Sequence, residues 1–151
     1  MARAPRNTGT PLLDWRPPEV TPKFDEVQVR SVSLRGRLAR AVSTALKDAD
    51  LTRDEIASRM SEFLGEPVTP NMLDAYASEA REDHVITVIR LVALARVTED
   101  ARLYQMLMDG SGYCVIPDRY MGAIQEAMLD DKIAELEQQK ALARRTWRGP
   151  R

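Results

Sequence analysis

The chain has 151 residues and a mass of 17.0 kDa, which suits one domain with appendages. Hydrophobic residues make up 44% and charged residues 30%, and every apolar run is shorter than the ~18 residues that a membrane span needs. The basic N-terminus lacks a following apolar stretch, so we expect no secretory signal, and the single cysteine excludes an internal disulfide. These features predict a cytoplasmic protein without a membrane partner.

Charge is distributed unevenly although the net charge is only −1. Residues 1–50 carry a net charge of +3, residues 51–110 carry −5, and residues 111–151 carry +1. Contacts with nucleic acid are therefore expected from the basic flanks more than from a uniformly basic body.

Residues 1–30 are predicted to form an extended, disordered tail. Five prolines fall within the first 23 positions and exclude a long helix there. The tail contains an apolar island from Leu12 to Pro18 around Trp15. Trp15 either belongs to a short peptide that docks on a partner protein, or folds back onto the domain.

Residues 31–117 are predicted to form a helical domain. Ser33 caps a first helix through Leu46, and the pattern places Leu34 on its buried face. A capping box, Thr52 to Glu55, begins a helix that ends near Leu64 at Gly65. Thr69 and Pro70 begin another helix, which reaches about residue 80.

The second half of this domain is more apolar. Residues 85–95 are apolar on nearly every side, which predicts a helix in the centre of the bundle. Thr98 is expected to cap a short helix that ends at Met108. Residues 113–116 are either a short strand or an extended segment, and Cys114 within them is expected to be a buried structural thiol.

Residues 118–151 are predicted to form one long helix, from Arg119 to about Arg145, followed by a basic tail. Apolar side chains recur in alternating steps of four and three residues, which is a coiled-coil heptad pattern. The seam consists of Leu129, Ile133, Leu136, Lys140, Ala143 and Trp147. It predicts a homodimer, but packing onto the domain or a solvated single helix also fits a seam this short.

Residues 51–81 have the spacing of a helix–turn–helix unit. In that interpretation the second helix presents Thr69 and Asn71 to base edges in the major groove. Phosphate contacts are expected from the nearby basic residues, which are Arg53, Arg59, Arg81, His84 and Arg90. Asp74 and Glu79 are electrostatically unfavourable on such a helix, and a hairpin that serves packing alone is the alternative.

Several segments also resemble a known group of proteins. They are LTRDEIASRMS at 51–61, LGEPVT at 64–69, NMLDAYASEAREDH at 71–84, DWRPP at 14–18 and VIPDRY at 115–120. They look like a small protein of Mu-like transposable phages and prophages. The resemblance implies a helix–turn–helix-like regulator or a transposition accessory factor in a bacterial host. It does not imply which residues contact DNA.

We find no sequence motif for catalysis, a cofactor or a metal, so we expect a protein that is not an enzyme. The sequence predicts an all-α protein that binds double-stranded DNA as a regulator or transposition accessory. The alternative is a non-catalytic adaptor or inhibitor that binds a partner protein. In that alternative Trp15 and the seam residues Leu129, Ile133 and Leu136 make the contacts.

Overall fold

The computed structural model describes residues 21–81 and 83–149. Within these ranges the chain forms seven α-helices, one 3-10 turn and no strand, so the predicted all-α class is confirmed. The elements are α1 (Glu26–Val29), α2 (Leu34–Asp48), α3 (Arg53–Leu64), α4 (Pro70–Tyr76), α5 (Val88–Val97), α6 (Arg102–Met108), the 3-10 turn (Asp118–Tyr120) and α7 (Met121–Trp147). The predictions for residues 1–20, including Trp15, lie outside the described residues.

The core is a bundle of α2 to α6. The α3 helix packs against α4 and α5, and α2 packs against α1, α4 and α6. Aliphatic and methionine side chains fill the centre, as the low aromatic content of the chain predicts. The largest fully buried side chains are Leu46, Ile56, Met60, Leu73, Leu91, Leu94, Leu103 and Val42.

The predicted starts of α2, α3 and α4 are confirmed. The Thr52 hydroxyl accepts from the Glu55 amide at 3.3 Å, and the Glu55 carboxylate accepts from the Thr52 amide at 2.8 Å. The Thr69 hydroxyl accepts from the Met72 amide at 3.3 Å. These caps satisfy amides that would otherwise lack a partner in the first helical turn.

The predicted tail extends too far, because its last part is folded. Asp25 caps α1, and Phe24 and Val29 are buried against the bundle. The guanidinium of Arg102 lies 4.4 Å from the centre of the Phe24 ring. The prolines that exclude a helix end at Pro22, so the following residues are free to bury their apolar side chains.

Three predicted helix boundaries are wrong. The helix predicted from residue 85 begins only at Val88, because Thr87 is its N-cap. The α4 helix ends at Tyr76 rather than near residue 80, since Glu79 turns back to bond Ser31 and Arg40. Thr98 is the C-cap of α5 and does not begin the next helix. The α5 helix ends through Glu99, whose φ of 54° allows the amide of Asp100 to reach the Ala95 carbonyl at 3.0 Å.

Burial also differs from the prediction at several positions. On α5, Val88 and Ile89 are 65% and 68% exposed, because α3 and α6 cover only the opposite side of this helix. Leu34 is exposed because it is the first residue of α2 and its side chain leans toward the helix start. Cys114 is exposed and not buried as predicted, since it lies in a segment without helix or strand structure in which only Val115 and Ile116 are half-buried.

The long C-terminal helix is present as predicted. It has 27 residues, packs against the 3-10 turn that precedes it, and has no buried residue from Met121 to Trp147. Its apolar seam therefore faces solvent along the whole helix. Whether the seam pairs with a second copy remains a prediction.

Candidate nucleic-acid interface

The α3 and α4 helices form the predicted pair, and a five-residue connector joins them. Gly65 ends α3 in the left-handed conformation, with a φ of 68°. The Ser61 hydroxyl accepts from the Val68 amide at 2.8 Å and donates to the Ala57 carbonyl at 2.8 Å. The Ser61 side chain of α3 thus fixes the end of the connector. The connector is longer than the short turn of phage repressors.

The α4 helix has one buried side and one polar side. Leu73, Ala75 and Tyr76 are buried in the bundle, whereas Asn71 and Asp74 are exposed. The Thr69 hydroxyl is engaged as the helix cap, which leaves its other lone pair and its proton to a ligand. The predicted base-reading residues are therefore both at the surface, with Asn71 in α4 and Thr69 as its N-cap.

Both acidic residues of the predicted reading segment are paired with arginines. Asp74 lies 3.4 Å from Arg53 of α3, and Glu79 bonds Arg40 of α2 as well as the Ser31 hydroxyl. The hydrogen bonds from Arg40 and then Ser31 lower the pKa of Glu79. The negative charge of this surface is thus partly neutralised, which reduces its repulsion of a phosphate backbone.

Arg53 is held by protein groups on two sides. Its guanidinium donates to the Leu46 carbonyl at 2.7 Å and to the Asp74 carboxylate at 3.4 Å. This side chain thus connects the end of α2, the start of α3 and the exposed face of α4. A phosphate contact by Arg53 would compete with these bonds.

The structure does not bring Arg59 together with Arg53. The two residues are six positions apart on α3, which places them about 120° apart around a helix with 3.6 residues per turn. Arg59 is exposed and its charge acts on Glu55. It adds positive charge to a different side of the helix pair.

Arg81 and His84 lie together in the loop after α4. The His84 amide donates to the Arg81 carbonyl at 3.0 Å, and both residues are exposed. They line one shallow hollow with Arg35 at the start of α2. The loop as a whole is acidic, because residues 77–87 contain Arg81 against Glu79, Glu82 and Asp83, a net charge of −2 with His84 neutral.

Arg90 is a structural residue that the sequence interpretation assigned to phosphate contact. It donates to the Tyr76 hydroxyl at 2.5 Å and to the Glu66 carboxylate at 3.0 Å. These bonds, with Tyr76 the stronger cause, raise the pKa of Arg90. Arg90 thus ties α5 to the end of α4 and to the connector.

Comparison with protein-family models, curated proteins and solved structures finds no match to this chain. In the part of the chain that the structure describes, no group of His, Cys, Asp or Glu residues could hold a metal ion. None of the described helices combines the length and apolar character needed to cross a membrane.

Proposed function

We propose that the protein is a DNA-binding regulator or transposition accessory factor of a phage or prophage. The observation that carries the proposal is the polar side of α4, where Thr69 and Asn71 are exposed and the acids Asp74 and Glu79 are each paired with an arginine. The helix–turn–helix spacing and the sequence resemblance to Mu-like phage proteins support the same function.

The proposed roles follow from position and chemistry. Asn71 reads a base edge, since its amide can both donate and accept and pairs well with adenine. Thr69 is next to it at the helix start. Arg81 and His84 contact phosphates beside the groove, and Arg59 contributes more distant positive charge. Arg53 holds α3 and α4 in place. It can bind a phosphate only by giving up one of its hydrogen bonds to the Leu46 carbonyl or the Asp74 carboxylate.

The test begins with selection of a preferred duplex from a random pool, followed by fluorescence anisotropy across a salt series. We expect Asn71→Ala to change the selected sequence. We expect Arg81→Ala to weaken binding to all sequences and to reduce the salt slope by about 1, because one phosphate contact is lost. Arg119→Ala removes the same charge outside the helix pair and is the matched control.

The outcomes separate the roles. If Arg81→Ala and Arg119→Ala reduce the affinity for DNA equally, binding depends on the overall charge of the protein and not on this interface. No measurable binding by the wild type at low salt would reject the proposed function altogether.

An adaptor function is the second candidate, and a different observation favours it. The α5 helix exposes the apolar side chains Val88, Ile89 and Val92 on one side. Exposed apolar surface of this kind is typical of protein-binding sites. If partner capture survives Asn71→Ala but is lost on Val88→Asp or on deletion of residues 1–20, the adaptor function is the better description.

A further inference from the structure

The α7 helix exposes an apolar seam that is interrupted only at Lys140. Leu129, Ile133 and Leu136 are 64%, 54% and 52% exposed, and Trp147 at the end of the seam is 74% exposed. A single helix in water gains nothing from such a seam, whereas burying it against another helix removes apolar surface from water.

Charge divides the same helix into two opposite halves. From Glu126 to Glu137 there are five carboxylates and one lysine, which gives a net charge of −4. From residue 138 to 149 there are four basic residues and no acid, which gives +4. The helix is therefore complementary to a second copy of itself that runs in the opposite direction.

We propose that two copies of the chain pair through α7 as an antiparallel coiled coil. In the favoured register, the numbers of two residues that face each other across the two helices add up to 276. Leu129 then lies opposite Trp147 of the partner subunit, and Ile133 lies opposite Ala143 of the partner subunit. Leu136 faces Lys140 of the partner subunit, whose aliphatic stem covers it while the ammonium group reaches solvent.

This register follows from the heptad pattern. Leu129, Leu136 and Ala143 occupy d positions, and Ile133, Lys140 and Trp147 occupy a positions. With a sum of 276, every layer pairs an a position with a d position, and the bulky Ile133 meets the small Ala143. A twofold axis then repeats each contact on both copies.

The flanking charges distinguish this arrangement from a parallel one. The antiparallel register places Asp130 beside Arg144 of the partner subunit, twice per dimer. The two Glu137 carboxylates meet near the twofold axis, with the Lys140 ammonium groups of both copies close by. In a parallel pair, Lys140 faces Lys140 of the partner subunit. The acidic halves of the two helices then lie side by side, as do the basic halves, and both arrangements are electrostatically unfavourable.

The first test uses sedimentation equilibrium on the full chain, without DNA, so its result is independent of the proposed function. We expect a mass twice the 17.0 kDa of one chain. Asp130→Arg and Arg144→Glu should each weaken dimerisation about tenfold, because two exposed pairs change from attraction to repulsion. The double variant should recover wild-type dimerisation.

Recovery in the double variant is specific to the antiparallel pair. Positions 130 and 144 are fourteen residues apart on one helix and do not meet in a parallel dimer. A double variant as weak as the single ones, or a wild type that stays monomeric, would overturn the proposal. So would a dimer that is insensitive to both reversals but lost on Val88→Asp, which would assign the contact to α5.

The second test measures orientation directly, with a spin label at Ala127→Cys in a Cys114→Ser background. Ala127 is exposed and lies away from the seam. The antiparallel register places the two labels about 33 Å apart along the axis, from a rise of 1.5 Å per residue. A parallel dimer places them below about 20 Å, since its helix axes are about 10 Å apart, and that result would overturn the proposal.

Discussion

Gly36 of α2 lies where this helix meets the linker before it and the loop after α4. A Cβ built on this glycine would be 2.1 Å from the Ser31 hydroxyl oxygen and 2.9 Å from the Glu79 carboxylate. These are the same groups that bond each other, at 3.0 Å, and that hold Glu79 near Arg40. Replacing Gly36 with alanine therefore perturbs the contact between α2 and the segment after α4.

The expected effect is a net loss of stability. Alanine gains about 1 kcal/mol over glycine inside a helix. Displacing Ser31 forfeits a hydrogen bond of about 1 kcal/mol, and overpacking adds a cost of about 1–3 kcal/mol. The free energy of unfolding should therefore fall by about 1–3 kcal/mol, which lowers the Tm of a domain this size by about 4 °C or more.

Thermal unfolding followed by circular dichroism measures this change, and two other variants control it. Gly122→Ala, on a glycine of α7 with nothing within 4 Å of the added Cβ, should leave the Tm of the bundle unchanged. In a Ser31→Gly background the main overlap is absent, so Gly36→Ala should become neutral or stabilising. A Gly36→Ala protein at least as stable as the wild type would refute the packing argument.

Two further predictions concern helix ends. Glu99→Gly should raise the urea midpoint, with a gain of up to about 1 kcal/mol, because glycine adopts the observed φ of 54° without steric cost; an unchanged or lower midpoint would contradict this. Hydrogen bonds from Thr52, the backbone amide first and then the hydroxyl, lower the pKa of Glu55 from its ordinary value of 4.5. A carboxylate whose pKa is lowered in the folded state stabilises the fold above pH 4.5, and this stability is lost as the pH falls through the folded-state pKa. Glu55→Ala should therefore reduce the Tm at pH 7, and its difference from the wild-type Tm should shrink in acid. Asp54→Ala, which leaves the capping box intact, is the control, and a difference that stays constant with pH would reject the assigned role of Glu55.

Local features of the fold could be predicted because their causes lie within a few residues. The capping box joins Thr52 to Glu55, three positions away, and Gly65 marks the end of α3 by its own conformational freedom. The exposure of one side of α5 could not be predicted from local sequence. Its composition predicts burial all round, yet Val88 and Ile89 are exposed because no described helix packs on that side.

The electrostatics of the candidate interface depend on distant residues. Arg53 and Asp74 are 21 positions apart, Arg90 and Tyr76 are 14 apart, and Arg40 and Glu79 are 39 apart. Sequence spacing alone predicts that Asp74 repels the phosphates of DNA and that Arg90 contacts them. Only the folded structure shows that Arg53 and Arg40 pair with these two carboxylates and that Arg90 donates to the Tyr76 hydroxyl.

The absence of buried residues along α7 has a consequence for how the protein melts. The bundle of α2 to α6 derives its stability from its own core, whereas α7 has only its local hydrogen bonds and whatever covers its seam. The two parts should therefore unfold as separate transitions. The bundle transition should be unaffected by dilution, while that of α7, if it pairs with a second copy, should move to lower temperature as the protein is diluted.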